Sequence, residues 1–339
     1  MQLVSFEREA SAPHPRASIG AAGLGYEALE GVTQGARRLG ALLADGPSAG
    51  SIVDLNRALA VKLAAQDAGA PEAEANSLLP ADALAFARRL PDALAAARDV
   101  VDWVERAVAR YDGPDLVAAG VVTPRRDVRL TAPVPRPGKI IGVLSNYGPA
   151  SPDTRPRGPS LFLEASSALG GPEDELCLPH PAPPVRFEGG LAVVIGRSAR
   201  GVSDAEALDC VLGYCAALDF EVGAADAADT LARSRDGSTL LGPVLTTCDD
   251  VADPHDLGIR VLREGKLLHV VRSKEMRFKV AELLAFASAR VTLEPGDVLL
   301  TGGLPCASER PLRDGDVVEV EVERVGKLAT YVRVAGSGT

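Results

Sequence analysis

Val185-Arg186-Phe187-Glu188-Gly189-Gly190 runs without a break into Leu191-Ala192-Val193-Val194-Ile195-Gly196. The apolar half is long enough for a buried strand and too short for most helices, and it begins directly after two charged side chains. Working outward, Lys139-Ile140-Ile141-Gly142-Val143-Leu144 and Asp297-Val298-Leu299-Leu300-Thr301-Gly302 have the same texture. Val318, Val320 and Val322 alternate strictly with Glu319, Glu321 and Glu323, which predicts a strand with one dry and one wet face. That glutamate row reads as a solvated face rather than a reaction site. Pro295-Gly296-Asp297 and Asp314-Gly315-Asp316 supply turns, and one helix is predicted from about Val280 to Arg290.

Ahead of this β-rich region lies Ala132-Pro133-Val134-Pro135-Arg136-Pro137-Gly138, a natural boundary. It divides the chain into residues 1–131, rich in Ala and Leu, and residues 132–339. In the first part Leu94, Ala97, Val101, Val104, Val108 and Tyr111 fall on one helical stripe, with Asp92 as N-cap and Asp112-Gly113-Pro114 as stop. Neither part repeats the strand–helix alternation of a doubly wound sheet, so the expected class is a β-rich α+β fold.

The 339 residues suit about two domains of ~150 residues each, and 46% hydrophobic with 24% charged residues is ordinary for a globular chain. A net charge of −10 repels phosphate backbones and anionic headgroups, so neither a nucleic-acid nor a membrane partner is expected. No apolar run reaches the ~18 residues of a membrane helix, and the first residues lack a signal core, which points to a cytoplasmic protein. Five cysteines without a CxxC pair and four scattered histidines give no disulfide framework and no zinc pattern. Gly23-Leu24-Gly25-Tyr26-Glu27-Ala28 fits a dinucleotide fingerprint as a string, but Ala12-Pro13-His14-Pro15-Arg16 before it is a poor strand, so no organic cofactor is expected.

Chemistry therefore rests on carboxylates, Arg, Tyr and backbone groups. Asp219 and Glu221 end the apolar run Tyr214–Leu218, and in an extended segment period two places both on one face. Arg233-Ser234-Arg235-Asp236-Gly237-Ser238 follows and leads to Leu241-Gly242-Pro243. Two unpaired carboxylates at ~4 Å repel by about 4 kcal/mol at an effective dielectric near 20, so a metal, Arg233, Arg277 or a retained proton must relieve them.

Several blocks in order resemble the fumarylacetoacetate hydrolase family: Lys139–Val143 with Asn146-Tyr147, Phe187–Gly196, Gly213-Tyr214 leading to Asp219, Leu293–Gly302, and Gly315–Val320. Asp236-Gly237-Ser238 with Leu241-Gly242-Pro243 looks like the branch that dehydrates 2-keto-3-deoxy sugar acids. The resemblance implies a rolled mixed β-sheet domain behind a smaller N-terminal α/β-containing domain, usually in a homodimer. It also implies a divalent cation, Mg2+ or Mn2+, beside a small 2-oxo or β-dicarbonyl carboxylate substrate. Carried over by residue, Glu188 and Asp219, with Glu221 alongside, become candidate metal ligands. Arg233, Glu221 and Asp236 become candidate catalytic groups, and Asn146, Tyr147, Arg233, Thr301 and Gly302 candidate substrate contacts. The pattern departs from the family where Gly190 replaces a second glutamate, Arg233 a lysine, and Gly148–Asp153 a histidine-bearing lid; the lysine expected after Leu161-Phe162 gives way to Leu163-Glu164. These departures favour enolate chemistry (decarboxylation, dehydration, isomerisation or cyclisation) over C–C hydrolysis, and they leave open a non-catalytic member that keeps the fold as a binding or oligomerisation protein.

Overall fold

The computed structural model describes residues 1–9, 36–44, 48–66, 68–110, 114–148, 158–223, 229–251, 253–307 and 311–336. The Gly23–Ala28 string, Tyr111 and the stop at Asp112-Gly113 lie outside these residues. The chain divides into two compact units, Met1–Thr131 and Ala132–Thr339.

In the first unit, strands Gln2–Arg8, Arg38–Leu42, Ile52–Asp54 and Val122–Thr123 pair antiparallel in sequence, and Val128–Thr131 lies on the other side of Gln2–Arg8. Buried Asp54 fixes the turn into helix Leu55–Ala64: its side chain accepts from the Arg57 N–H and from Arg38 Nε and Nη2, the two donors of one guanidinium edge. The predicted helix is Asp92–Arg110, and it buries Ala93, Ala97, Val100, Val104 and Ala107. The stripe read from the sequence is thus one flank of the buried face, because small alanines let the helix sit closer than leucine-weighted patterning suggests.

The second unit is two packed sheets. One runs Thr239–Thr247, Val211–Val222, Val185–Ile195, Val298–Leu300, Ile140–Leu144 and Ser160–Glu164, with Ile140–Leu144 parallel to Val298–Leu300 and the other neighbours antiparallel. The other comprises Lys266–Arg272, Gly258–Arg263, Val317–Val322, Gly326–Val334 and Leu176–Leu178. Phe187, Leu191 and Val193 enter the core between them with Val261, Val318, Val320 and helix Val280–Ser288. Gly189 is required there, since a Cβ would lie 2.6 Å from Val261. The glutamate row is the wet face as read: Glu319 and Glu321 meet Lys327 and Arg260, and Glu323 meets Arg272. Among the described residues no helix is long and apolar enough to cross a membrane.

Candidate active site

Strand Val185–Ile195 alternates at its start, so while Phe187 is buried in the core, Glu188 and Gly190 emerge on the opposite face. Register places Glu188 directly across from Asp219, and Arg186 across from Glu221. The two carboxylates of Val211–Val222 thus share the Glu188 face, as period two requires. With Phe162, Val143, Leu191, Ala217, Leu300 and backbone at Gly190 and Gly302, Glu188 and Asp219 line a cleft of about 280 Å3 including its open mouth.

Arg233, at the end of the turn Thr230–Arg233, inserts among these acids. Its Nη1 lies 2.5 Å from Asp219 Oδ2, and its Nη2 lies 2.8 Å from Glu221 Oε2 and 3.9 Å from Glu188 Oε1. The guanidinium carbon stands 5.0 Å from the Phe162 ring centroid, a cation–π distance. Burial works against the Arg233 charge, but Asp219, Glu188 and Glu221 outweigh it and raise its pKa further.

The acids are not equivalent. Glu188 Oε2 accepts from the Gly303 N–H at 3.0 Å, and among the described residues Oε1 has only the long Arg233 contact. Burial, then the Asp219 charge, pushes Glu188 up to about 7. Asp219 is 7% exposed and is raised to about 6, burial outweighing Arg233; its Oδ1 is buried without a hydrogen-bond partner. Glu164 faces the same cluster from Ser160–Glu164. It accepts from the Thr239 hydroxyl at 2.5 Å, and burial with Asp219 raises it to about 9, so it is neutral at pH 7.

Other candidate residues have different employment. Asn146, 1% exposed, donates to the carbonyls of Phe278 and Thr301 and accepts from the Phe278 N–H, so its amide braces three backbone groups instead of meeting a substrate. Tyr147 is packed in the core; burial raises its hydroxyl well above the usual range, and it does not line the cleft. Thr301 spends both its N–H and its hydroxyl on the Leu191 carbonyl. Gly302 lines the cleft, but the carboxylate held by this turn is the chain's own Glu188, through Gly303. Asp236 is exposed in the turn beyond Arg233 and does not line the cleft. Arg277 lies with Asn146 and Gly148. The turn Thr301-Gly302-Gly303 reads in the sequence as one whose backbone N–H groups could take a carboxylate, and the carboxylate it takes is Glu188; Thr239 was missed because a lone hydroxyl carries no motif.

A divalent cation fits part of this arrangement. Glu188 and Asp219 are cross-strand neighbours lining one cleft, and Asp219 Oδ1 is orphaned, a donor set suited to a hard cation that takes one or two protein carboxylates. Glu221 does not join them, since Arg233 and Arg186 occupy its oxygens. Among the described residues no three metal-ligating side chains converge. The expected third ligand is thereby corrected to an ion-pair partner.

Residues 141–333 match the model described as fumarylacetoacetate (FAA) hydrolase C-terminal. The chain is 35% identical over 224 residues to the oxaloacetate tautomerase FAHD2B, mitochondrial, of Bos taurus, covering 62% of this chain and 71% of that one. The crystal structure of 2-hydroxyhepta-2,4-diene-1,7-dioate isomerase from Mycobacterium marinum is 35% identical, with TM-score 0.56 over 64% of this chain and 82% of the other. A maleylpyruvate hydrolase from Sphingobium sp. SYK-6, solved with manganese (II) and pyruvate, shares the fold across 98% of this chain and 99% of its own, at 24% identity and TM-score 0.68.

Proposed function

Because the chain belongs to the fumarylacetoacetate hydrolase family, we propose that it is an enzyme moving a proton on a small 2-oxo or β-dicarbonyl acid, interconverting keto and enol forms. The observation that carries the reading is the facing pair Glu188 and Asp219, each with an oxygen lacking a close partner, at a cleft with apolar walls. Similar proteins named as an oxaloacetate tautomerase and a 2-hydroxyhepta-2,4-diene-1,7-dioate isomerase support the same class.

Glu188 is the proton carrier. Its Oε1 takes a proton from the carbon beside the ketone, the C–H electron pair becomes the enol double bond, and the ketone π pair moves to oxygen. Glu188 returns a proton to that oxygen in tautomerisation or to a distal carbon in isomerisation, so the substrate gains and loses one proton and nothing else, and the carried proton exchanges with solvent between turnovers. The Gly303 N–H holds Glu188 by its other oxygen and fixes the direction of approach. Arg233 keeps Asp219 ionised beside it, and Leu300 and Phe162 limit water around the reacting carbon. A divalent ion held by Asp219, with Glu188 completing the pair only while it carries no proton, would stabilise charge on the enolate oxygen. Among the described residues no imidazole lines the cleft: His255 accepts from the Val280 N–H, and His180 is exposed. This favours proton transfer over water activation. A cytoplasmic homodimer belongs to the same proposal, with light scattering as its check.

The test is enol absorbance on a panel of oxaloacetate, 2-oxobutyrate and longer 2-oxo diacids, with Mn2+ supplied. Catalysed interconversion of at least one, abolished by Glu188→Gln, is expected. Binding without turnover across the panel contradicts the reading and supports the non-catalytic alternative, for which Gly190 is the structural argument.

A further inference from the structure

The carboxyl cluster contains a cation of its own. Arg233 reaches Asp219 at 2.5 Å and Glu221 at 2.8 Å, and is held by the Phe162 ring and by the Ser238 hydroxyl, which donates to the Arg233 carbonyl at 2.9 Å. Its side chain is 14% exposed, so solvent screens it weakly. A guanidinium stays charged at every accessible pH and spans two carboxylates with its planar fork, which an ammonium cannot do. A divalent ion using Glu188 and Asp219 therefore shares Asp219 with Arg233 and meets a like charge across a single carboxylate. The chain has no room to compensate from the neighbouring position: a Cβ at Gly190 would lie 2.4 Å from the Gly302 carbonyl oxygen, so no third carboxylate can project there without backbone movement. The second, independent sign that the place is built for a cation is the nine-tenths-buried Asp219 side chain, whose Oδ1 has no partner and which lines the cleft.

We propose that Arg233 is a built-in counter-cation that competes with a divalent metal ion for Asp219, leaving this chain a two-carboxylate metal site of deliberately low affinity. The inference rests on the reading above only in taking Glu188 and Asp219 as the metal-binding pair. Removing the guanidinium charge is predicted to strengthen metal binding, the opposite of what loss of a structural arginine would do.

The experiment is a Mn2+ titration of the full chain, stripped with chelator, in which the paramagnetic resonance signal of free aqueous Mn2+ reports binding. Wild type, Arg233→Lys, Arg233→Gln and Asp219→Asn are compared, with circular dichroism melts to establish folding. Affinity is expected to rise from wild type through Arg233→Lys to Arg233→Gln, the last by about tenfold or more, and to fall in Asp219→Asn. If Arg233→Gln does not fold, Arg233→Lys decides alone. Equal or weaker binding in the folded arginine variants, or no binding in any chain, overturns the proposal. Turnover is not read, so failure here leaves the proton-transfer reading standing, and absence of turnover leaves this affinity order intact.

Discussion

Gly190 and Glu188 are two residues apart and answer to different constraints. The first is fixed by space, because the Gly302 carbonyl oxygen occupies the position of any side chain. Gly190→Ala is expected to lower stability by about 1–3 kcal/mol, the range for overpacking, read as a denaturant midpoint shift with unchanged slope. Glu188 is fixed by chemistry: Glu188→Gln keeps its shape and removes the proton-accepting oxygen, so loss of about 10²–10⁴ in rate is expected with KM little changed. Both carboxylates of the cleft were legible, because charge ending an apolar strand is unexpected and period two decides which acids share a face. Their partners were legible only in part: the backbone N–H groups of Thr301-Gly302-Gly303 could be read as carboxylate-binding but not that Glu188 fills them, and Asn146, which looks like a ligand group in a motif, is consumed by backbone.

Elements position these groups through a few polar ties. Asn146, just after strand Ile140–Leu144, joins the segment before helix Val280–Ser288 to the end of strand Val298–Leu300 by three hydrogen bonds, one buried and two partly buried. Asn146→Ala leaves those backbone groups unpaired, and a loss of about 2–4 kcal/mol is expected in chemical denaturation, together with a rate defect from displacement of the 301–303 turn. Strand identities were readable wherever alternation or a short apolar run was present, as at Val317–Val322, whose inward valines and outward glutamates appear as written. The helix Asp92–Arg110 was found but its face was read one flank off, since alanine carries little patterning signal and yet lines the contact. Closeness of Gly190 to the Gly302 turn depends on how adjacent strands pack, which no local spacing encodes.

At the scale of the whole molecule the buried acids couple stability to pH. Asp219, Glu188 and Glu164 have folded pKa values of about 6, 7 and 9, all raised by burial above their ordinary values. The native state therefore holds more protons than the unfolded chain between about pH 4 and 9, and stability falls as pH rises through that window. Melting temperature is expected to decline from pH 5 to pH 9. Glu164→Gln, which keeps a neutral partner for Thr239, should flatten the part above pH 7; a melting temperature that rises with pH would contradict the burial of these groups. The family architecture was legible because its blocks recur in order along the chain; Arg233 was legible as one of several candidates to relieve the acids, but that it does so follows from the path of a turn. The most direct measurement of the central claim is deuterium uptake at C3 of oxaloacetate or 2-oxobutyrate in D2O, followed by proton NMR with wild type, Glu188→Gln and the exposed-site control Asp236→Asn. Exchange by wild type and the control, with loss in Glu188→Gln, is the predicted result; exchange that persists at the wild-type rate in Glu188→Gln would show that the proton leaves by another route.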